Sequence, residues 1–262
     1  MSLIGEERKN YILNQLNLDG KVKTNELVEA LEVSSETIRR YLEELEDENK
    51  LKRVYGGAVK INLSRDEPSH LKREVLFADE KRKIGRAAAT LVEDNEVIFI
   101  DDGTTTLHII DYLLNKKNLT VLTISIPALY LLIDYKNKGL FTGEIFLIGG
   151  KVNALHSRVT GLLAEKMVEN FYADKAFLSV DGMMLDKGIT GFEEGKGQLT
   201  QQLMKYAKQS IVLCDHSKFG LVQFYKIADL REIDIIVSDV PAPKEWLYEL
   251  QKKGVVWVSS ND

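Results

Sequence analysis

Val33-Ser34-Ser35-Glu36-Thr37-Ile38-Arg39-Arg40-Tyr41-Leu42 is the stretch on which the reading of this chain turns. Ile38, Leu42 and Leu45 recur at helical spacing, which predicts a helix over about 35–47 buried through those three side chains. Ser35, Glu36, Arg39 and Arg40 are left for its outer face. Upstream, Ile4, Tyr11, Ile12 and Leu16 share one face of a first helix that stops at Gly20. Thr24 is placed to cap a second helix turning Leu27, Val28 and Leu31 inward. Downstream, Leu51 to Tyr55 alternates like a strand, Gly56-Gly57 turns, and Ala58 to Ile61 returns. Three helices and a hairpin in this order predict a winged helix-turn-helix.

In such a module the N-terminal half of the third helix meets base edges. Arginine suits guanine O6 and N7, and hydroxyls suit phosphates. Ser34, Ser35, Glu36, Thr37, Arg39, Arg40 and Tyr41 are therefore the candidate contacts, and Lys50, Lys52 and Arg53 extend the basic strip into the wing. Residues 1–60 carry ten Lys and Arg against twelve Asp and Glu, so the acidic block Glu43-Glu44-Glu46-Asp47-Glu48 must face away from any phosphate. An ordinary amphipathic helix with a solvated charged face would show the same spacing.

The whole chain has 262 residues, 44% of them hydrophobic, enough for two domains with cores of their own. Its 35 Lys and Arg stand against 40 Asp and Glu, and the net charge of −5 excludes a globally basic binder. A lone cysteine, Cys214, fits a reducing cytoplasm, and it falls on a strand that reads as core. Apolar runs such as Val97 to Ile100 are too short to cross a membrane, and Met1 to Glu6 lacks the layout of a signal peptide. The expected limits are 1–57 for the winged helix, 58–77 for a linker and 78–262 for a second domain.

That second domain alternates helical and strand periods, with helices at about 79–92, 106–114, 127–137, 160–171 and 198–208. Strands are expected at about 96–100, 119–124, 144–148, 175–180, 210–214 and 233–238, with 255–258 after a short tail helix. Such alternation predicts an open α/β sheet with helices on its faces. Asp101-Asp102-Gly103-Thr104-Thr105-Thr106 follows an apolar strand, where backbone N–H groups and hydroxyls can meet a phosphate. A plain loop with helix-capping threonines is the alternative. Gly149-Gly150-Lys151, Asp181-Gly182 and the run from Asp215 to Gly220 with Lys218 also end strands, where ligands collect in open α/β sheets. An aspartate for hydroxyls, a lysine for an anion and a Gly-Thr loop for phosphate would suit a phosphorylated sugar. Neither a P-loop nor a dinucleotide fingerprint is present. Asp181, Glu193 and Glu194 are acid-base candidates by type only. The histidines (70, 108, 156 and 216) have no metal-ligand spacing, and Ser217-Lys218 is only superficially a nucleophile-base pair.

Nearly the whole chain resembles the DeoR family of bacterial repressors. The likeness runs through Glu7-Arg8, Val33-Ser34-x-x-Thr37-Ile38-Arg39-Arg40, Leu42-x-x-Leu45-Glu46 and Leu51-x-Arg53-Val54-Tyr55-Gly56-Gly57-Ala58. It continues through Lys83-Ile84, Asp101-x-Gly103-Thr104-Thr105, Leu119-Thr120-Val121-x-Thr123-x-Ser125 and Gly149-Gly150. Asp174-Lys175-Ala176-Phe177, Gly188-x-Thr190 and Asp215-x-Ser217-Lys218-Phe219-Gly220 complete it. The resemblance implies a sensor domain similar in fold to ribose-5-phosphate isomerase and the CoA-transferases, and adds Ser125 to the effector site. It implies a repressor of carbohydrate genes, relieved by a phosphorylated sugar. Expected partners are double-stranded operator DNA, that effector and further copies of the chain, with no cofactor, no membrane and no catalysis. An isomerase-like enzyme and an effector-independent DNA-binding protein are the alternatives. Three features depart from the family pattern. Tyr41 replaces an aspartate, its hydroxyl able to reach a phosphate or base; Ile124 replaces an asparagine; and 191–197 alters a Glu-Ala-x-x-Lys/Arg helix start.

Overall fold

A computed structural model describes residues 3–48, 50–60 and 67–260. It divides into two units, Met1–Arg65 and Asp66–Asp262. The first holds α1 (Leu3–Asp19), β1 (Lys21–Lys23), α2 (Thr24–Leu31), α3 (Ser35–Asp47), β2 (Leu51–Val54) and β3 (Gly57–Lys60). Ile12, Leu16, Leu27, Ile38, Leu42, Leu45, Leu51 and Ala58 form its buried core, as the helical spacing predicts. The side chain of Ile4 and the strand's expected end at Ile61 lie outside the described residues. Tyr11 is exposed, not on the inner face. Glu32 stops α2 in the left-handed conformation (φ 51°), and Ser34 caps α3 by accepting from the Thr37 N–H at 3.2 Å. Thr24 is buried at the start of α2, and no side chain caps that helix. Strand β1 was not predicted: three residues carry no period of their own and hold by antiparallel pairing to β3, which also pairs with β2.

The second unit begins with α4 (His70–Val75) and α5 (Ala78–Ala89). Then come β4 (Val97–Ile100), α6 (Thr104–Leu107), β5 (Thr120–Thr123), α7 (Ile126–Asn137), β6 (Glu144–Leu147), β7 (Lys151–Asn153), β8 (Arg158–Thr160) and α8 (Leu162–Val168). There follow β9 (Ala173–Ser179), β10 (Gly182–Met184), β11 (Gly188–Gly191), α9 (Glu194–Lys205), β12 (Ala207–Leu213), β13 (Tyr225–Ala228), β14 (Ile235–Ser238), α10 (Leu247–Lys253) and β15 (Val256–Ser259). Seven strands form one parallel sheet in the order β15-β14-β12-β9-β4-β5-β6. The pleat sorts its side chains between two cores. Ile98, Ile100, Phe177, Ile211 and Leu213 face Ile84 and Ala88 of α5 and Leu132 of α7. Phe99, Leu178 and Val212 face Val168 of α8, Leu199 and Leu203 of α9 and Leu250 of α10. Burial on both faces explains why these strands read as continuous apolar runs. Cys214 is core, as expected, and burial pushes its thiol well above the ordinary cysteine value.

The structure revises several expected boundaries. The span 58–77 is not a linker throughout: β3 lies in the head's sheet, and α4 belongs to the second unit, where Glu67 and His70 are buried. The linker residues 61–66 lie outside the described residues. The helix expected at 106–114 is a single turn, α6, followed by a 3-10 turn at Ile110–Tyr112. The helix expected at 160–171 starts after β8, and the one expected at 198–208 starts earlier, at Glu194. Gly195 and Gly197 argue against helix there, yet a Cβ on Gly197 would stand 2.2 Å from the Tyr225 ring, so close packing selects the glycine. The β7–β8 hairpin and the small antiparallel sheet β10-β11-β13 were not predicted, because runs of three or four residues show no alternation.

Candidate functional site

On the head, Ser35, Glu36, Arg39 and Arg40 stand exposed on α3 as the spacing predicts, with Thr37 half-buried. Arg39 has no ion-pair partner among the described residues, whereas Arg40 lies 3.8 Å from Glu44 and over the Tyr41 ring. Two expectations need correction. Tyr41 is buried in the helical core rather than turned outward. Arg53 is held by Glu46, to which its backbone N–H and Nε donate at 2.8 and 2.7 Å, so wing and helix are stapled together. Lys52 keeps no carboxylate within ion-pair distance among the described residues. The acidic block is used internally: Glu44 pairs with the buried Lys9 at 2.6 Å, and Glu48 with Lys50 at 2.6 Å. What remains for a partner at the start of α3 is the hydroxyl of Ser35, the carboxylate of Glu36 and the guanidinium of Arg39.

In the sensor unit the chain runs from β4 outward to β5 and β6 and then returns to β9 on the other side of β4. Crevices open beyond the carboxyl ends of strands at such a reversal. A cleft of about 420 Å³, its open mouth included, lies there; Gly103, Thr104 and Thr105 line it after β4, Val180 and Asp181 after β9, and Asp215 and Lys218 after β12. Ser179 and, from the start of the unit, Arg73, Leu76, Phe77 and Lys81 supply its remaining wall. A larger hollow of about 720 Å³, its open mouth included, lies between α9 and β13 and has Lys205 as its one lining cation among the described residues.

Lys81, nearly fully buried, donates to the Thr104 hydroxyl at 3.0 Å and to the Arg73 carbonyl. Thr104 thus spends a lone pair on Lys81 and keeps its own proton for an oxygen in the cleft. Burial pulls the Lys81 ammonium down to about 8; Asp215 opposes this, while Lys218 adds to it. Arg73 gives Nη1 to Glu67 at 3.0 Å, while its Nε and Nη2 are buried without hydrogen-bond partners among the described residues. Asp215 accepts from the Ser217 N–H at 3.0 Å, and its buried Oδ2 has no hydrogen-bond partner among the described residues. Three cations and a free acceptor therefore converge on one cleft.

Behind it lies a charge cluster. Arg158, wholly buried on β8, donates to both oxygens of Glu67 (2.9 and 2.7 Å), to Asp102 (3.0 Å) and to Glu193. Burial pushes the Asp102 carboxyl up, but Lys196 and Arg158 outweigh it and bring the group to about 2. Lys196, on the first turn of α9, has its Nζ 3.6 Å from Asp181 and 4.0 Å from Asp102.

Of the expected effector residues, Gly103, Thr104, Thr105, Asp181 and Lys218 meet at the cleft. The others do not line it. Asp101 faces inward, accepting from Gly103 N–H, Thr106 Oγ1, Ser179 N–H and Ser179 Oγ at 2.6–2.9 Å. Ser125 caps α7, accepting from the Ala128 N–H. Gly149, Gly150 and Lys151 run into the β7 hairpin, and Gly182 is buried at the start of β10. Gly103 answers to packing rather than to phosphate approach: a Cβ there would lie 2.3 Å from Ser179 Cβ. Sequence reasoning missed Arg73, Lys81, Asp215, Arg158 and Lys196 as site residues. The first two lie where a linker and an ordinary helix start were read, and Arg158 sits on an unpredicted strand. Asp215 had a signal, since the strand-end run that supplied Lys218 begins with it. Among the described residues no group of His, Cys, Asp and Glu could hold a metal ion, and no helix is long and apolar enough to cross a membrane.

A helix-turn-helix head followed by an α/β unit with a cationic cleft defines a DNA-binding transcriptional regulator with a sensor domain. Residues 8–63 match the DeoR-like helix-turn-helix domain and residues 77–240 the DeoR C terminal sensor domain. The chain belongs to the DeoR family. It is 34% identical to the HTH-type transcriptional repressor GlcR of Bacillus subtilis (strain 168), over 95% of this chain and 94% of that one. To the HTH-type transcriptional regulator GolR of Listeria innocua it is 31% identical, over 95% and 96%. To the lactose phosphotransferase system repressor of Staphylococcus epidermidis it is 31% identical, over 89% and 91%. Among solved structures it is similar to ribose 5-phosphate isomerase A of Methanocaldococcus jannaschii, with a TM-score of 0.40 and 19% identity over 55% of each chain.

Proposed function

We propose that this chain is a repressor of carbohydrate-metabolism genes whose grip on operator DNA is relieved by a phosphorylated sugar bound in the sensor cleft. The observation that carries the reading is the convergence of Arg73, Lys81 and Lys218 on the Thr104-Thr105 turn. With α6 only one turn long, the side-chain cations, rather than a helix dipole, would hold the phosphate. Asp181 and Asp215 line the same cleft and are acceptors for sugar hydroxyls. The name of the staphylococcal relative, a lactose phosphotransferase system repressor, supports a carbohydrate role. Dimers or larger assemblies would present two heads to a symmetric operator.

The ligand is sensed and not turned over. Of the carboxylates suited to acid-base work, Glu193 accepts from Arg158, Glu194 from Gln198, and Asp181 is set against Lys196. The test is to incubate the protein with ribose 5-phosphate and fructose 6-phosphate while following both product formation and operator affinity. Weakened operator binding without product is the expected result. Turnover above ~1 per second, an ordinary enzymatic rate, would make the chain an isomerase-like enzyme instead.

A further inference from the structure

Lys196 is 1% exposed, and its Nζ has no hydrogen-bond partner among the described residues. The Oδ1 of Asp102, which faces it at 4.0 Å, is equally without one. Asp181 stands 3.6 Å from the same ammonium and also lines the cleft, its Oδ2 accepting a long bond from the Phe192 N–H at 3.4 Å. Buried donors and acceptors are nearly always paired, so a donor and an acceptor left facing each other mark a place for an oxygen atom. Charge decides which kind. Around Lys196 and Arg158 stand four carboxylates, Asp102, Asp181, Glu67 and Glu193, so an anion would be repelled. Burial works against the charge of Lys196, yet Asp102, Asp181 and Glu67 hold its ammonium above the ordinary lysine range. A neutral hydroxyl meets both demands, accepting from the ammonium and donating to a carboxylate.

Resting on the cleft being a sugar-phosphate site, we infer that Lys196, Asp102 and Asp181 form its inner subsite and read a hydroxyl at the end of the ligand remote from the phosphate. The ligand is then a polyol phosphate with a hydroxyl at the end away from its phosphate. A phosphate monoester without hydroxyls gains nothing from this end. Asp102 also binds Arg158, which holds Glu67, so the subsite touches the network that fastens the start of the sensor unit.

Calorimetry on the full-length protein compares inorganic phosphate, pentyl phosphate, ribose 5-phosphate and fructose 6-phosphate, with Lys196→Met and Asp181→Asn beside wild type. In the wild type at least one sugar phosphate should bind ten-fold or more tighter than pentyl phosphate. Both substitutions should abolish that advantage over pentyl phosphate measured on the same variant, since losing one hydrogen-bonded oxygen costs on the order of ten-fold. Should Lys196→Met fail to fold, the pentyl phosphate comparison and Asp181→Asn carry the test. Sugar phosphates no tighter than pentyl phosphate, or an advantage that survives both substitutions, would overturn the subsite and leave the cleft intact. If no phosphate compound binds the wild type, the cleft itself is misread and the subsite falls with it.

Discussion

Arg158 donates to both carboxylate oxygens of Glu67, at 2.9 and 2.7 Å, across 91 positions of sequence. Glu67 stands where the chain enters the sensor unit, and Arg158 also touches Asp102 beside the cleft loop. The entry to the sensor unit is therefore bonded to the floor of its ligand site. A buried guanidinium shared by three carboxylates cannot be removed without leaving charges unpaired. Arg158→Met should cost about 3–5 kcal/mol, read as a lower urea midpoint at unchanged slope. A wild-type midpoint would show that the three carboxylates do not depend on it.

Asp102 fixes the acid limb of stability. Its folded value of about 2 lies below the ordinary 3.8, so it stabilises the fold fully above about pH 4. That contribution is lost as the pH falls from about 4 towards 2. Urea midpoints measured across this window should fall more steeply for wild type than for Asp102→Asn. Parallel curves would contradict the assignment.

The head separates three kinds of cation. Arg39→Ala should cost ~1–3 kcal/mol of operator affinity if the side chain reads a base edge. Lys52→Ala should weaken all duplexes alike and flatten the salt slope by about one. Arg53→Ala should act on the fold instead, by ~0–1 kcal/mol, because its exposed pair with Glu46 is screened by solvent. Equal loss of sequence discrimination in all three would refute the division.

Lys81 should make phosphate binding pH-dependent. With its ammonium titrating at about 8, an anion in the cleft finds it charged below that pH and increasingly neutral above it. Affinity for inorganic phosphate should fall as the pH rises from 7 to 9, with net proton uptake on binding near pH 8.5. The uptake appears as a buffer-dependent enthalpy, and Lys81→Met should abolish it. Uptake that persists in Lys81→Met would place the titrating group elsewhere.

Much of this architecture is legible in sequence because burial imposes a period. Ile38, Leu42 and Leu45 announce α3, and the runs through Phe99, Phe177 and Val212 announce strands covered on both faces. Tyr41 misleads because an aromatic next to Arg39-Arg40 reads as polar surface, while the fold uses its ring as core. Asp101 misleads for the opposite reason: its motif looks ligand-facing, but β9 supplies the donors that absorb it. Arg73, Lys81, Arg158 and Lys196 come together only through tertiary packing, and no local spacing relates them.

The central claim, that a ligand in the cleft controls the head, is tested most directly by operator affinity. A duplex selected by the protein from a random pool is titrated by fluorescence anisotropy, with and without saturating ribose 5-phosphate or fructose 6-phosphate. Only a ligand that favours the non-binding state can shift the equilibrium. For wild type, a sugar phosphate that calorimetry shows to bind should weaken the operator complex at least ten-fold, and Lys218→Ala should lose that response while binding DNA normally. Operator affinity that stays unchanged in the presence of a sugar phosphate bound by the wild-type protein would contradict the account.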